Sequence, residues 1–212
     1  MPEIIVKPKD ALSESRQAIY QAVELSRRAA ATMWEAIENI WDQKGTAREK
    51  RFKRLQAWCS GNSPDIEIFR KYLGVSNGKY LPGGPFLSYK ELKKVRRKVG
   101  WLKNKLLQET LRFKIRNGDA TAYNLWFLTR IVICPAFFDQ TKIEKASTII
   151  HELMHDYPIV HGKSIFNLKD YKKCFCCEEA VQFAIDQPCK ARRCAYNYEF
   201  LAQEIMLAHA ME

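Results

Sequence analysis

The residues best suited to chemistry stand together in HELMH, residues 151 to 155. On a helix, positions four apart share a face, so His151 and His155 can offer two imidazoles to one Zn2+ while Glu152 sits beside the metal. A metal-bound water has its pKa drawn toward neutrality. Glu152 would then be placed to take its proton and hand it to a leaving amine. The chemistry implied is hydrolysis of a peptide bond, with Zn2+ as cofactor and a protein or peptide as substrate. A helix with two surface histidines is the plainer alternative, but three of the four histidines in the chain fall between 151 and 161.

Such a site must be held by the elements around it. Leu12, Ile19, Val23, Ala30, Met33, Ile37 and Trp41 recur near helical spacing over residues 10–43, with Asp10 as the expected N-cap. TARE (46–49) and SYKE (88–91) have the form in which a cap hydroxyl and a glutamate satisfy each other's backbone N–H, so each should start a helix. SNGKYLPGGPF (76–86) is rich in Gly and Pro and reads as a surface loop. After Ser88, Leu92, Val95, Val99, Leu102 and Leu106 form an apolar stripe, with Lys90, Lys93, Lys94, Arg96, Arg97, Lys98, Lys103 and Lys105 largely on the other sides. The period then changes. Leu111, Phe113 and Ile115 alternate with polar residues, RNGD (116–119) supplies a turn, and aromatic and β-branched residues return over 121–133. The expected fold is mainly α with a small antiparallel sheet, an α+β arrangement of zincin type in which a sheet edge aligns an extended substrate beside the metal.

The chain has 212 residues, 47% of them hydrophobic, enough for one substantial core. One domain over 1–212 is expected, with a helical part over 1–108 and a sheet plus zinc-site part over 109–212. No apolar run is long enough to span a bilayer, and the first ten residues lack the apolar centre of a signal peptide. The net charge of +11 suits an anionic surface or polymer, met through the basic helix 88–107. A solvated helix face is the more ordinary meaning of that charge.

Three separated motifs carry a family resemblance. ICPAFF (133–138), ASTIIHELMH (146–155) and PCKARRCAYNYEFLA (188–202) together resemble the aspzincin metallopeptidases, the family of deuterolysin and the lysine-specific metallo-endopeptidases. Pro188, Ala191, Ala195, Asn197, Tyr198, Glu199 and Phe200 keep the spacing of that family's late helix, while Cys194 and Tyr196 depart from it. The resemblance covers about 130–202 and is faint before that, where FRKYLG (69–74) is only suggestive.

The resemblance implies an aspartate as third zinc ligand, shortly after the second histidine, and Asp170 is the residue that corresponds. A loop carboxylate can return to a helix-borne metal and complete N2O coordination. The segment departs from the family pattern in lacking its Thr and terminal Gly, and Tyr171 follows the aspartate at once. Tyr171 is the first choice to hydrogen-bond a tetrahedral oxyanion. His161 is the alternative ligand, at the metzincin distance of six residues from His155, although Pro158 stands where that turn has glycine. Glu178 or Glu179 would serve in the gluzincin manner, and Asp156 should point away.

Cys174, Cys176, Cys177, Cys189 and Cys194 cluster late in the chain without a zinc-ribbon pattern, so disulfides between the last helices are expected in preference to a second metal. Disulfides imply an oxidising destination. Export by a dedicated secretion system would reconcile them with the missing signal peptide, as for an effector or toxin with a cognate inhibitor or immunity protein. The leading expectation is a zinc endopeptidase. The alternatives are a regulatory zinc protease of the ImmA/IrrE kind, suggested by EEAVQFA (178–184), and a non-catalytic basic protein binding nucleic acid or cell-wall polymer.

Overall fold

A computed structural model describes residues 2–8, 12–74, 88–125, 130–157 and 176–211. The central element is α1, Ser13–Trp41, whose 29 residues span roughly 44 Å at helical rise. It buries Ile19, Val23, Met33 and Ile37 together with Ala22, Ala29, Ala30 and Ala36. Small alanines along its buried surface leave room for other helices, and α4 (Tyr89–Gln108), α6 (Lys142–His155) and α9 (Ala195–Ala208) all pack on it. Ser26 ties the centre together, its hydroxyl reaching the carbonyls of Ala22 at 2.7 Å and Ala146 at 2.9 Å. Buried Arg27 donates through Nε to the Leu106 carbonyl at 2.9 Å, fastening the end of α4 to α1.

Local start signals act as their sequences require. Thr46 caps α2 (Ala47–Ser60) and Glu49 returns the bond, a complete capping box. Ser88 caps α4 by accepting from the Glu91 N–H, but the Glu91 side chain is drawn to Lys94 instead. The first helix begins later than expected, with Leu12 at the cap position and no side-chain bond. Asp10 lies outside the described residues, as does the loop read over 76–86. Helix α3, Pro64–Leu73, ends at Gly74, whose φ of +70° is one that L side chains rarely adopt.

The sheet is small, as expected, and mixed. Strands β1 (Ile4–Lys7), β2 (Leu111–Ile115), β3 (Ala122–Leu125) and β4 (Arg130–Ile133) lie in the order β1-β2-β4-β3. β1 and β4 both run parallel to β2, and only β3 is antiparallel, pairing Tyr123 with Val132 and Asn124 with Ile131. The Asn117-Gly118 turn therefore does not join neighbours, because β4 enters between the strands it connects. β3 is left at the edge, beside α6. The sheet also takes its first strand from the start of the chain, which composition alone did not mark.

Short helices complete the frame: α5 (Pro135–Phe138) follows β4, and α7 (Cys177–Asp186) and α8 (Pro188–Ala191) precede α9. Cys59, Cys134, Cys176, Cys177, Cys189 and Cys194 are free thiols, so the expected disulfides are absent among the described cysteines. Lys98 also departs from expectation. Its position on the apolar stripe buries it, and its ammonium donates to the Arg192 carbonyl. No helix of the described residues is long and apolar enough to cross a membrane.

Candidate functional site

Helix α6 begins at a complete capping box, Thr141 with Glu144, which fixes its entry after α5. Ala146, Ile149, Ile150, Leu153 and Met154 bury its inner face. That anchoring carries His151 and Glu152 into the interior, at 7% and 6% exposure, while His155 in the last turn is part-exposed. The two imidazoles converge as their spacing requires: Nε2 of His151 lies 3.1 Å from Nε2 of His155.

The other side of the His151 ring faces α9. Nδ1 of His151 lies 2.9 Å from the Glu199 carboxylate, and the Tyr196 ring stands 4.5 Å from the imidazole between centroids, inclined at 64°. Asn197 locks α9 in place, donating to the carbonyls of Tyr72 at 2.8 Å and Ala180 at 2.9 Å from a fully buried position. Tyr198 is wholly buried beside it, and that burial pushes its phenol far above the ordinary range. Glu199 and Tyr196 had no role from sequence, and the only signal was their place in CAYNYEF. Which face of that helix meets α6 is decided by packing.

On the remaining side lies β3. The Asn124 amide donates to the Glu152 carbonyl at 2.7 Å, stitching the edge strand to the motif helix. The Thr121 carbonyl accepts from the Cys134 N–H at 3.0 Å, and the register pairs Ala122 with Ile133 and Tyr123 with Val132. Alternation along an antiparallel pair then directs the backbone groups of Ala122 and Asn124 to the outer edge, away from β4. Tyr123 projects from the opposite sheet face to Asn124 and is 36% exposed.

The donor set answers the metal question for the described residues. Two Nε2 atoms converge, but the nearby carboxylate stands at Nδ1, the far nitrogen of the ring, where it orients the imidazole and cannot share a ligand sphere with Nε2. Glu178 and Glu179 are exposed in the first turn of α7, with Glu178 held by its own helix start and by Cys176. Asp170, His161 and Tyr171 lie outside the described residues. Among the described residues no three of His, Cys, Asp or Glu are grouped so as to hold a metal ion. The expectations of a Zn2+ cofactor, of a zinc endopeptidase and of an ImmA/IrrE-like zinc protease are therefore corrected. The described donors stop one short of a catalytic zinc set, and no hydrolytic step is derived through them.

The frame around the pair has a counterpart among solved structures. A zinc peptidase from Grifola frondosa superimposes with a TM-score of 0.59, covering 92% of this chain and 97% of that one. The fold is zincin-like. Sequence identity over the match is 16%, so the likeness speaks to architecture alone. No protein-family model matches the chain, and no curated protein does.

Proposed function

We propose that this chain is a polypeptide-binding protein on a zincin-like scaffold, and a divergent relative of the aspzincins. In this reading an extended segment of a protein partner adds to the sheet along the outer edge of β3, with His151, Glu152 and His155 as polar groups beside it. One observation carries the reading. β3 is an edge strand with two residues, Ala122 and Asn124, whose backbone groups point outward, and Asn124 fixes that edge against the helix bearing the histidines. Strand addition to such an edge supplies main-chain hydrogen bonds, and alternating side chains supply selectivity. The aspzincin relation is supported by the spacing of Pro188, Ala191, Asn197, Tyr198, Glu199 and Phe200, and by the contact of Glu199 with His151. Tyr196, standing against His151 where the family pattern has an aspartate, marks the divergence.

The test is Ala122→Pro. Proline there removes an outward N–H and leaves the ladder to β4 untouched, a placement edge strands tolerate. A panel of short fluorescein-labelled peptides should contain binders of the wild type that weaken roughly tenfold or more with the variant, on the order of one lost main-chain hydrogen bond plus the clash of the ring. Binding that is equally tight in Ala122→Pro would sink the proposal.

A further inference from the structure

A second site stands on other elements, where the N-terminal halves of α2 and α4 meet. They form a cavity of about 500 Å3, open to solvent on one side and lined by Arg48, Lys50, Arg51, Arg54, Lys93 and Tyr89 with Ala47, a volume within the roughly 300–1,000 Å3 of ligand pockets. Its floor is ordered by aromatic and cationic stacking. Tyr89 stacks on Trp41 at 5.6 Å between centroids, and Arg54 lies over Trp41 at 4.4 Å. Arg54 also donates to the Trp41 carbonyl at 2.9 Å and to the Tyr89 hydroxyl at 2.7 Å, so its guanidinium is positioned without an acidic partner.

The cations of this cavity differ from those elsewhere on α4. Lys94 pairs with Glu91, Arg96 with Glu38 and Lys105 with Glu109. Among the described residues no carboxylate lies in ion-pair range of Arg48, Lys50, Arg51, Arg54 or Lys93. Arg51 and Lys93 instead both lie over the Tyr89 ring, at 5.3 and 5.1 Å. Five like charges around one small cavity repel one another unless something anionic joins them. Ala47 and Tyr89 are the first residues of their helices, whose starts are already capped by Thr46 with Glu49 and by Ser88, so the field of the cavity comes from its side-chain cations.

We infer that this cavity binds a compact polyphosphate group, a ligand carrying two or more adjacent phosphoryl groups. One phosphate monoester carries a charge of about −1.5 to −2 and leaves most of the five cations unmatched. Two or three phosphoryls in a row match them, and the guanidinium forks of Arg48 and Arg51 suit their oxygens.

The test is calorimetric titration of the intact chain with inorganic tripolyphosphate, pyrophosphate and orthophosphate at one ionic strength. The expected result is one equivalent of tripolyphosphate per chain, with affinity falling in that order. The double variant Arg51→Gln/Lys93→Gln, both exposed positions, should weaken tripolyphosphate at least tenfold with an unchanged melting temperature. The control Lys90→Gln/Lys103→Gln removes the same charge from α4 outside the cavity and should leave binding within about twofold. A second arm uses phosphatidylcholine vesicles with and without a bis-phosphorylated inositol lipid. Vesicle binding that the cavity variant abolishes assigns the phosphates to a lipid headgroup, and binding of soluble polyphosphate alone assigns them to a free ligand. Equal weakening in the control, more than one equivalent per chain, or no preference for tripolyphosphate over orthophosphate would overturn the proposal.

Discussion

The α6–α9 contact and the α2–α4 cavity treat polar groups in opposite ways. Around α6 the polar side chains are buried or part-buried and are held by the protein itself: His151 beside Glu199, the Asn197 amide donating to two carbonyls, the Asn124 amide donating to the Glu152 carbonyl. At the mouth of α2 and α4, Arg48, Arg51 and Lys93 are exposed, Lys50 and Arg54 are half-buried, and none has a carboxylate in ion-pair range among the described residues. Internal satisfaction fixes geometry, because a buried polar group that loses its partner costs far more than a surface one. Exposed charges without a carboxylate partner cost little to the fold and remain open to a ligand. Substitutions in the first region should therefore act on stability, and in the second on binding.

The sharpest break of that contrast is Asn197→Ala. It leaves the Tyr72 and Ala180 carbonyls without their donor in a closed interior, and opens a small void. A loss of about 2–4 kcal/mol in urea unfolding is expected. A loss no larger than that of Lys93→Gln would erase the distinction between the regions.

Lys98 sharpens the comparison through pH, since it is a basic residue that the fold takes inside. Burial, the largest cause, together with the nearby Arg193 charge, pushes its pKa down to about 7, while Glu91 opposes the shift. A base with a lowered folded pKa binds fewer protons folded than unfolded between that value and its ordinary 10.5. Wild-type stability should rise with pH across this window and be flat with respect to Lys98 below it. Unfolding at pH 6.5 and 9.5, compared with Lys98→Met, should show the wild type gaining on the variant at the higher pH. An identical gap at both would mean the ammonium is better solvated than its burial implies.

Lys98 also shows how far the sequence could be read. It lies three residues after Val95 and four before Leu102, on the apolar stripe, so the signal for burial was present but hidden within a run of basic residues. The starts of α2 and α4 were legible because a cap is a local bargain between residues three apart. The box of Thr141 with Glu144 has the same local form. The convergence of His151 and His155 followed from helical spacing alone. Strand order did not follow, because β4 enters between β2 and β3 through tertiary packing, and the four residues of β1 become a strand only against β2. Glu199 was invisible as a partner for the same reason: its spacing within α9 carries no information about which helix faces it.

A smaller effect is expected from Thr141→Ala. Removing the cap bonds at the start of α6 should cost about 1 kcal/mol in unfolding and leave peptide binding intact, because the buried face of α6 still sets its position. A collapse of peptide binding would show that the helix start, and not its packing, places the histidines. The smallest effect belongs to a chelator. Peptide capture through the backbone of β3 should be unchanged by it, and loss of capture on chelation would contradict the strand-addition account.

The most direct measurement is amide hydrogen exchange of β3 with and without a bound peptide. Because the Ala122 and Asn124 N–H groups face outward, the account predicts that these two exchange freely in the unbound protein and become protected when peptide is present, while Tyr123, bonded to β4, is protected in both states. Unchanged exchange at Ala122 and Asn124 under saturating peptide would contradict the claim that this edge is the binding site.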